Sequence, residues 1–394
     1  MRKIPLLFLP VVWLLADPGE QLAPLEREGD FWVERTGGTI GAGDAPPFLR
    51  IETRGDVIFQ GDGGSSLGYQ IERRVQARSE AEARRLLTSP MGGGAGAIKP
   101  VRIGDQLSLI AHPGPRVVVD IKVQPPRALR QVVVETEAGA VEVRDVRAPV
   151  NVNSGAGPVL CDRIVGALSV RTGGGDLVLG NITGAVRVRS GSGMVRLRQC
   201  SGEASLETAG GEIAVDEVSG PLYALTGAGN IEVGRAGGRV EAHTRGGLIR
   251  VREAGGEVVA ESAGGGIVIG SARGVRCESA AGTVKLTGVA GQVQVTTTVG
   301  SIFAELQAGR PWLGSLLSAA RGDITVWIPA GLALSIAALA DSAHGRIISE
   351  FSEVPVSQVA MGGELRCSAR GSLNGGGPLL RLAAGDGVVY LRKR

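Results

Sequence analysis

The chain has 394 residues, of which 63 are glycine, 3% are aromatic and 43% are hydrophobic, a composition that describes a thin core of small aliphatic side chains and many tight turns. Its formal net charge of +3, from 42 basic and 39 acidic residues, is too balanced for the basic footprint of a nucleic-acid binder or of a partner for anionic membranes. The length would ordinarily indicate two or three globular domains, but an internal period overrides that expectation, because repeat arrays grow lengthwise.

The amino terminus, Met1-Arg2-Lys3 followed by the apolar segment Ile4 to Ala16, has the charge and length of a secretory signal, and is too short to span a bilayer comfortably. An uncleaved anchor is the other reading of this segment. A lead-in interrupted by Pro and Gly follows, with Phe31 and Trp32 as its anchoring points. Alternating residues then predict strands at Leu49 to Thr53 and Val57 to Phe59. In Ser79-Glu-Ala-Glu-Ala-Arg-Arg-Leu-Leu, Ser79 can cap a helix and Glu82 can close the capping box, with Ala83, Leu86 and Leu87 as the apolar face. Met91 to Ala97 reads as a glycine-rich link without the Gly-Lys-Ser/Thr of a phosphate loop. Strands at Gln106 to Ile110 and Arg116 to Val123 lead to Pro125-Pro126, the expected entrance to the array.

From Gln131 the period is eighteen residues, made of two unlike nine-residue halves. The glycines Gly139, Gly157, Gly175, Gly193, Gly211, Gly229, Gly247 and Gly265 recur at that spacing, and an intervening series runs Gly166, Gly184, Gly202, Gly220, Gly238, Gly256 and Gly274. Aliphatics stand two and four residues beyond the first series, as in Leu177 and Leu179 or Ile231 and Val233, and seven and five residues before it, as in Leu168 and Val170. Each half is therefore expected to be a short strand with two inward side chains, ended by a glycine turn. After Gly265 the register slips by one, giving Gly282, Val284 and Leu286. A hydroxyl stands three residues before each origin, from Thr136 and Ser154 through Thr226, Thr244 and Ser262. It shares parity with the inward positions and is expected to satisfy local backbone groups rather than form an exposed ladder. Beyond Gly291 the strict period dissolves; Gly309 to Ala320 reads as an insertion or short helix, and the tail from Gly371 should supply the last coils and cover the open sheet edges.

Chemistry is sparse along this array. The residues following the origins (Ala140, Pro158, Asp176, Met194, Glu212, Asn230, Leu248, Gly266) contain no carboxylate ladder, which rejects a calcium roll, and no aliphatic every six residues, which rejects the hexapeptide helix. His112, His243 and His344 lie in different sections, so no zinc cluster or His-based triad is indicated, and no cofactor is expected. Outward positions carry mixed charges, including Glu207, His243 and Glu261. Arg171, Arg187, Arg189, Arg196 and Arg198 form a candidate patch for an acidic glycan or other polyanion, against the simpler reading of a solvated face partly neutralised by Glu207. Cys161, Cys200, Cys277 and Cys367 are too dispersed along the array for bridging and are expected as buried thiols. Arg54-Gly55-Asp56 and Arg321-Gly322-Asp323 each precede an apolar strand, so Gly-Asp is read as a turn rather than a receptor tripeptide.

The charged apolar start, the EAEARRLL run, the Gly-x-aliphatic-x-aliphatic coils, Gly322-Asp-Ile-Thr-Val-Trp-Ile-Pro and the closing Asn374-Gly375-Gly376-Gly377-Pro378-Leu379 resemble the bacterial putative adhesin family. That family is a domain-of-unknown-function group of cell-envelope β-solenoids, and the likeness covers residues 49 to 394. It implies an envelope location and brings no catalytic residues.

The expected architecture is all-β: a single-stranded parallel β-solenoid with 18-residue coils, two short strands and two glycine turns per coil, and one short helix near the N-terminal end. The expected divisions are a signal segment at 1–16, a lead-in with the helix at 17–127, the regular array at 128–291, and irregular coils with a cap at 292–394. The expected function is that of a non-enzymatic, exported envelope scaffold or adhesin-like protein, meeting an envelope polysaccharide or surface protein, with no nucleic acid and no membrane span beyond the signal segment. The alternative is a β-helical glycan-binding or carbohydrate-active protein that uses the arginine face.

Overall fold

The computed structural model describes residues 24–41, 47–61, 64–89, 98–127, 129–308, 312–341, 345–361 and 364–394. The signal segment, the Met91 to Ala97 link and His344 fall outside them. The chain divides into two compact units, Met1–Val143 and Arg144–Arg394.

The second unit is a parallel β-solenoid of about 11 turns. Each turn gives one strand to each of two sheets. The first sheet contains Val159–Val165, Leu177–Thr183, Val195–Cys200 and their successors; the second contains Val150–Ser154, Leu168–Thr172, Val186–Ser190 and theirs. Pairing is parallel and repeats every eighteen residues, Val159 opposite Leu177 and Val150 opposite Leu168. The alternation of apolar and polar residues produces this arrangement, because a period of two places every second side chain between the sheets.

The core is larger than two inward residues per half. In the first-sheet strands a third side chain is buried seven residues beyond the turn glycine: Ile164, Ile182, Cys200, Val218, Ala236 and Ala254. Reaching it requires the chain to break the alternation, and the coil containing Arg163 does so with φ at 53°. In the second-sheet strands the third inward position is the hydroxyl, so each regular coil buries five apolar side chains and one Ser or Thr.

The slip after Gly265 appears as a seventeen-residue pairing, Ile267 opposite Val284. Eighteen-residue spacing then returns at Val293–Val299 and at the start of Ile302–Leu306, where a further one-residue shift sets Val289 opposite Leu306. The next coil is longer, with Gln294 opposite Leu316. The residues expected as an insertion or short helix instead contain the strand Ser315–Arg321, because Ser315, Leu317 and Ala319 alternate inward in the sheet pattern. Trp312 packs into the lengthened turn, and its indole N–H donates to the Gln307 carbonyl at 3.0 Å.

Stack order departs from chain order at the C-terminal end. Leu379–Asp386 pairs on one side with Ser315–Arg321 and on the other with Leu334–Ala340, an earlier segment. Val388–Lys393 likewise lies between Ile324–Ile328 and Arg346–Ser349. The tail therefore supplies an internal coil, not the final one. Its Leu380, Leu382, Val389 and Leu391 are fully buried, which a position at the open end would not allow. The second sheet ends instead in the hairpin Val356–Met361 with Glu364–Leu373, added antiparallel to Leu334–Ala340. Antiparallel addition breaks the pattern by which another parallel coil would dock.

In the first unit, Phe48–Thr53 pairs in parallel with Gln131–Thr136, Leu49 opposite Val132, and the Val57 amide donates to Ala140 at 2.9 Å. Coil geometry thus begins at Phe48, within the stretch read from sequence as a lead-in. On its other side Phe48–Thr53 pairs in parallel with Gln106–Ile110, which carries Val101–Ile103 antiparallel beyond it, and a mixed sheet is formed by Leu25–Glu28, Phe31–Ile40, Leu67–Gln76, Val117–Gln124 and Val57–Gln60. The helix Glu80–Thr88 begins as expected, Ser79 Oγ accepting from the Glu82 amide at 3.2 Å, while the Glu82 carboxylate turns back to the Arg78 amide at 2.9 Å. Ala83 and Leu87 are buried, whereas Leu86 is half-buried.

Gly211 tests the stacking directly. A Cβ there would overlap the Gly193 carbonyl of the preceding coil, whereas one on the neighbouring Gly210 would meet nothing within 4 Å. Gly211→Val should lower the melting temperature by roughly 5–10 °C, and Gly210→Ala should leave it unchanged in a calorimetric scan; equal melts would contradict the coil geometry.

Candidate functional site

A groove of about 630 Å³ runs along the outside of the second sheet, from the strand Ala204–Thr208 to Val293–Val299. Two outward columns make it. Four residues before the turn glycines stand Leu225, His243, Glu261, Glu278 and Thr296; two residues before stand Ala209, Gly227, Arg245, Ala263, Ala280 and Thr298. The groove exists because the second column is almost entirely small, leaving a shelf at the corner where each strand turns.

Its floor is the buried hydroxyl column. Thr226 Oγ1 donates to the Gly211 carbonyl of the preceding coil at 2.7 Å and accepts from the Gly229 amide of its own turn at 3.2 Å. Thr244 and Ser262 repeat the same pair of bonds. In earlier coils, where Gly157, Gly175 and Gly193 take φ between 92° and 101°, the hydroxyl turns instead to a carbonyl two residues on, as Ser154 does to Ala156 at 2.7 Å. These side chains hold turns together and offer no ordered hydroxyl surface to solvent.

His243 sits mid-groove between two carboxylates, Nδ1 2.9 Å from Glu261 and Nε2 3.1 Å from Glu241. Both ring nitrogens are engaged, so none faces a substrate. The Tyr223 ring lies 6.0 Å from the imidazole, and burial, then the Glu207 and Glu241 carboxylates, push its phenol above the ordinary value. Arg245 is exposed and makes no ion pair among the described residues. The arrangement supplies one free cation, exposed carboxylates and an elongated polar trough. It suits hydrogen bonding to an extended ligand better than proton transfer at one enclosed point. Among the described residues no group of His, Cys, Asp and Glu is placed to hold a metal ion.

The predicted arginines are not all brought together. Arg171 and Arg189 are register partners on the outer face of the second sheet, and Arg187 lies on the same strand as Arg189. Arg196 and Arg198 project from Val195–Cys200 on the first sheet, so the five are divided between two faces. All five are exposed. Arg189 meets Glu207 at 3.4 Å, and Arg198 donates to Asn181 at 3.3 Å. Sequence reading passed over Arg245 and Glu278; the run of small residues two before each glycine is the signal that would have marked their shelf.

All four cysteines are free thiols, three buried and Cys367 half-buried. Burial pushes the Cys161 thiol up to about 12 and raises Cys277 and Cys200 as well. Both Gly-Asp turns are structural. Asp56 Oδ1 accepts from the Ala140 amide at 2.8 Å, and Asp323 Oδ1 from Val388 at 2.8 Å.

No protein-family model matches the chain, and no curated protein matches it. Among solved structures it is similar to the crystal structure of a putative cell adhesion protein from Clostridium sporogenes, with 8% identity over 92% of this chain and 100% of that one, at a TM-score of 0.15. A superposition that weak supports no inference about function. No described helix is long and apolar enough to cross a membrane.

Two measurements test this description. Thr226→Val leaves the Gly229 amide and the Gly211 carbonyl without their partner and should cost ~1–3 kcal/mol in denaturant unfolding, with Thr226→Ser retaining most of it. For Cys161 the folded value lies above the unfolded one, so stability present below the ordinary thiol value of 9.0 is lost as pH rises toward about 12. Cys161→Val should flatten that alkaline decline, and a decline of unchanged steepness would count against a buried thiol.

Proposed function

We propose that the protein is a non-enzymatic, exported cell-envelope β-solenoid that serves as a scaffold or adhesin-like surface. The observation that carries this reading is the use made of outward charges. Across the second unit they pair between successive coils: Asp145 with Arg163, Arg189 with Glu207, Glu232 with Arg250, Arg235 with Glu253, Arg239 with Glu257. Carboxylates committed to the long axis stiffen the stack and are withdrawn from acid–base work, although each exposed pair adds little stability alone. The positively charged, apolar start supports export.

A second reading, glycan binding, is favoured by the groove. It follows the axis across successive coils with Arg245 inside it, unpaired among the described residues, and Arg171, Arg187 and Arg189 lie further along the same sheet. On this second reading the ligand lies along the second sheet, and Arg196 and Arg198, on the first sheet, take no part in it.

Protease shaving of intact cells should release fragments of the solenoid if it is surface-exposed; full protection alongside a periplasmic control would refute a surface role. On a glycan array, Arg245→Ala should abolish binding in the groove. Loss with Arg171→Ala combined with Arg189→Ala instead would assign the ligand to the arginine face.

A further inference from the structure

Aromatic residues are rare in this chain, and from residue 70 to 302 the only one is Tyr223. Three of the others, Phe303, Trp327 and Tyr390, lie on neighbouring strands on the outer face of the first sheet near its C-terminal end. Phe303 is the register partner of Thr325, Thr325 of Tyr390, and Tyr390 of Ile348. In the neighbouring outward column Glu305 stands beside Trp327 and Trp327 beside Arg392. The Phe303 and Trp327 rings stack with centroids 6.2 Å apart and planes 24° from parallel, and the Arg392 guanidinium lies 5.2 Å from the Tyr390 ring centre. Four adjacent strands carry this platform over ~14 Å at the usual strand spacing.

Polar groups at its border are held in place. Arg392 donates to Glu350 at 2.6 Å, Glu350 also accepts from the Lys393 amide at 2.8 Å, and Arg394 pairs with Glu305. Those bonds from Lys393 and Arg392 hold the Glu350 carboxyl below its ordinary range.

We propose that this platform binds a linear neutral β-linked glycan, sugar rings stacking on Trp327 and Tyr390 and their hydroxyls bonding the flanking Arg–Glu pairs. A pyranose has an apolar C–H face, which the negative face of an aromatic ring attracts, and an equatorial rim of hydroxyls, which fixed charged groups bond strongly. Both halves of that requirement are met here. A single-stranded nucleic acid would also stack, but it needs cations free for its phosphates, and Arg392 and Arg394 are each neutralised by a carboxylate. A protein partner would need ~800 Å² on this side, more than three half-buried rings expose. The platform lies on the other sheet from the groove and stands independently of it.

Calorimetric titration of the full chain with a β-1,4-linked glucose hexamer, and separately with a β-1,4-linked N-acetylglucosamine hexamer, tests this. Saturable binding to at least one is expected, weakened ~10-fold or more by Trp327→Leu. Arg392→Gln, which keeps every ring, should weaken it as well without moving the melt, and so separates recognition from cross-strand packing. Arg245→Ala in the groove should leave the titration unchanged. Absence of heat with both hexamers, or binding within twofold of the parent in both platform variants, overturns the proposal. So would a uridylate 12-mer whose binding is lost in those variants, or a dimer that Trp327→Leu converts to monomer.

Discussion

The parallel ladder between successive coils is the interaction on which the rest of this structure depends. A single coil buries only five small apolar side chains and one hydroxyl, too little to offset the entropy of ordering its backbone. Stacking resolves this, because every strand then bonds on two sides and every inner side chain lies on its equivalent in the next coil. Turn glycines follow from the same requirement. At Gly211 the carbonyl of Gly193 occupies the place a Cβ would need, so the residue is set by the approach of its neighbour rather than by its own backbone angle. The hydroxyl three residues earlier then bonds across the same gap.

Such a core leaves little room for chemistry inside and places all of it on the two outer faces. Neighbouring coils bring outward residues eighteen apart within reach of one another, so complementary charges along a column become ion pairs and small residues along a column become a trough. The groove on the second sheet and the paired charges beside it are two results of one geometry. So is the division of the predicted arginines: Arg189 and Arg196 are close in sequence, but a turn lies between them and sends them to different faces.

Much of the fold was legible in the residue order, and the losses are instructive. The two aliphatic positions per half were visible because they alternate. The third in the first-sheet strands was not, because two consecutive residues that are not buried precede Ile164 and Ile182 and shift their parity. The strand Ser315–Arg321 was obscured for a different reason, lying after a lengthened turn that breaks the count. At the site, His243 and Glu261 stood out as outward residues of mixed charge, yet nothing linear indicated that Glu241 would close the imidazole from its other side.

By itself the sequence determined the coil: its eighteen-residue length, its two unlike halves, the glycines that turn it and the parity that fills it, because each of these is a local property repeated until it cannot be mistaken. Tertiary structure alone decided the order of the stack at the C-terminal end. Leu379–Asp386 and Val388–Lys393 enter between coils formed earlier in the chain, since only there are both sides of Leu380 and Val389 covered. That insertion sets Tyr390 and Arg392 beside Trp327 and Ile348. Long-range burial chooses such neighbours, and no repeat along the chain encodes them.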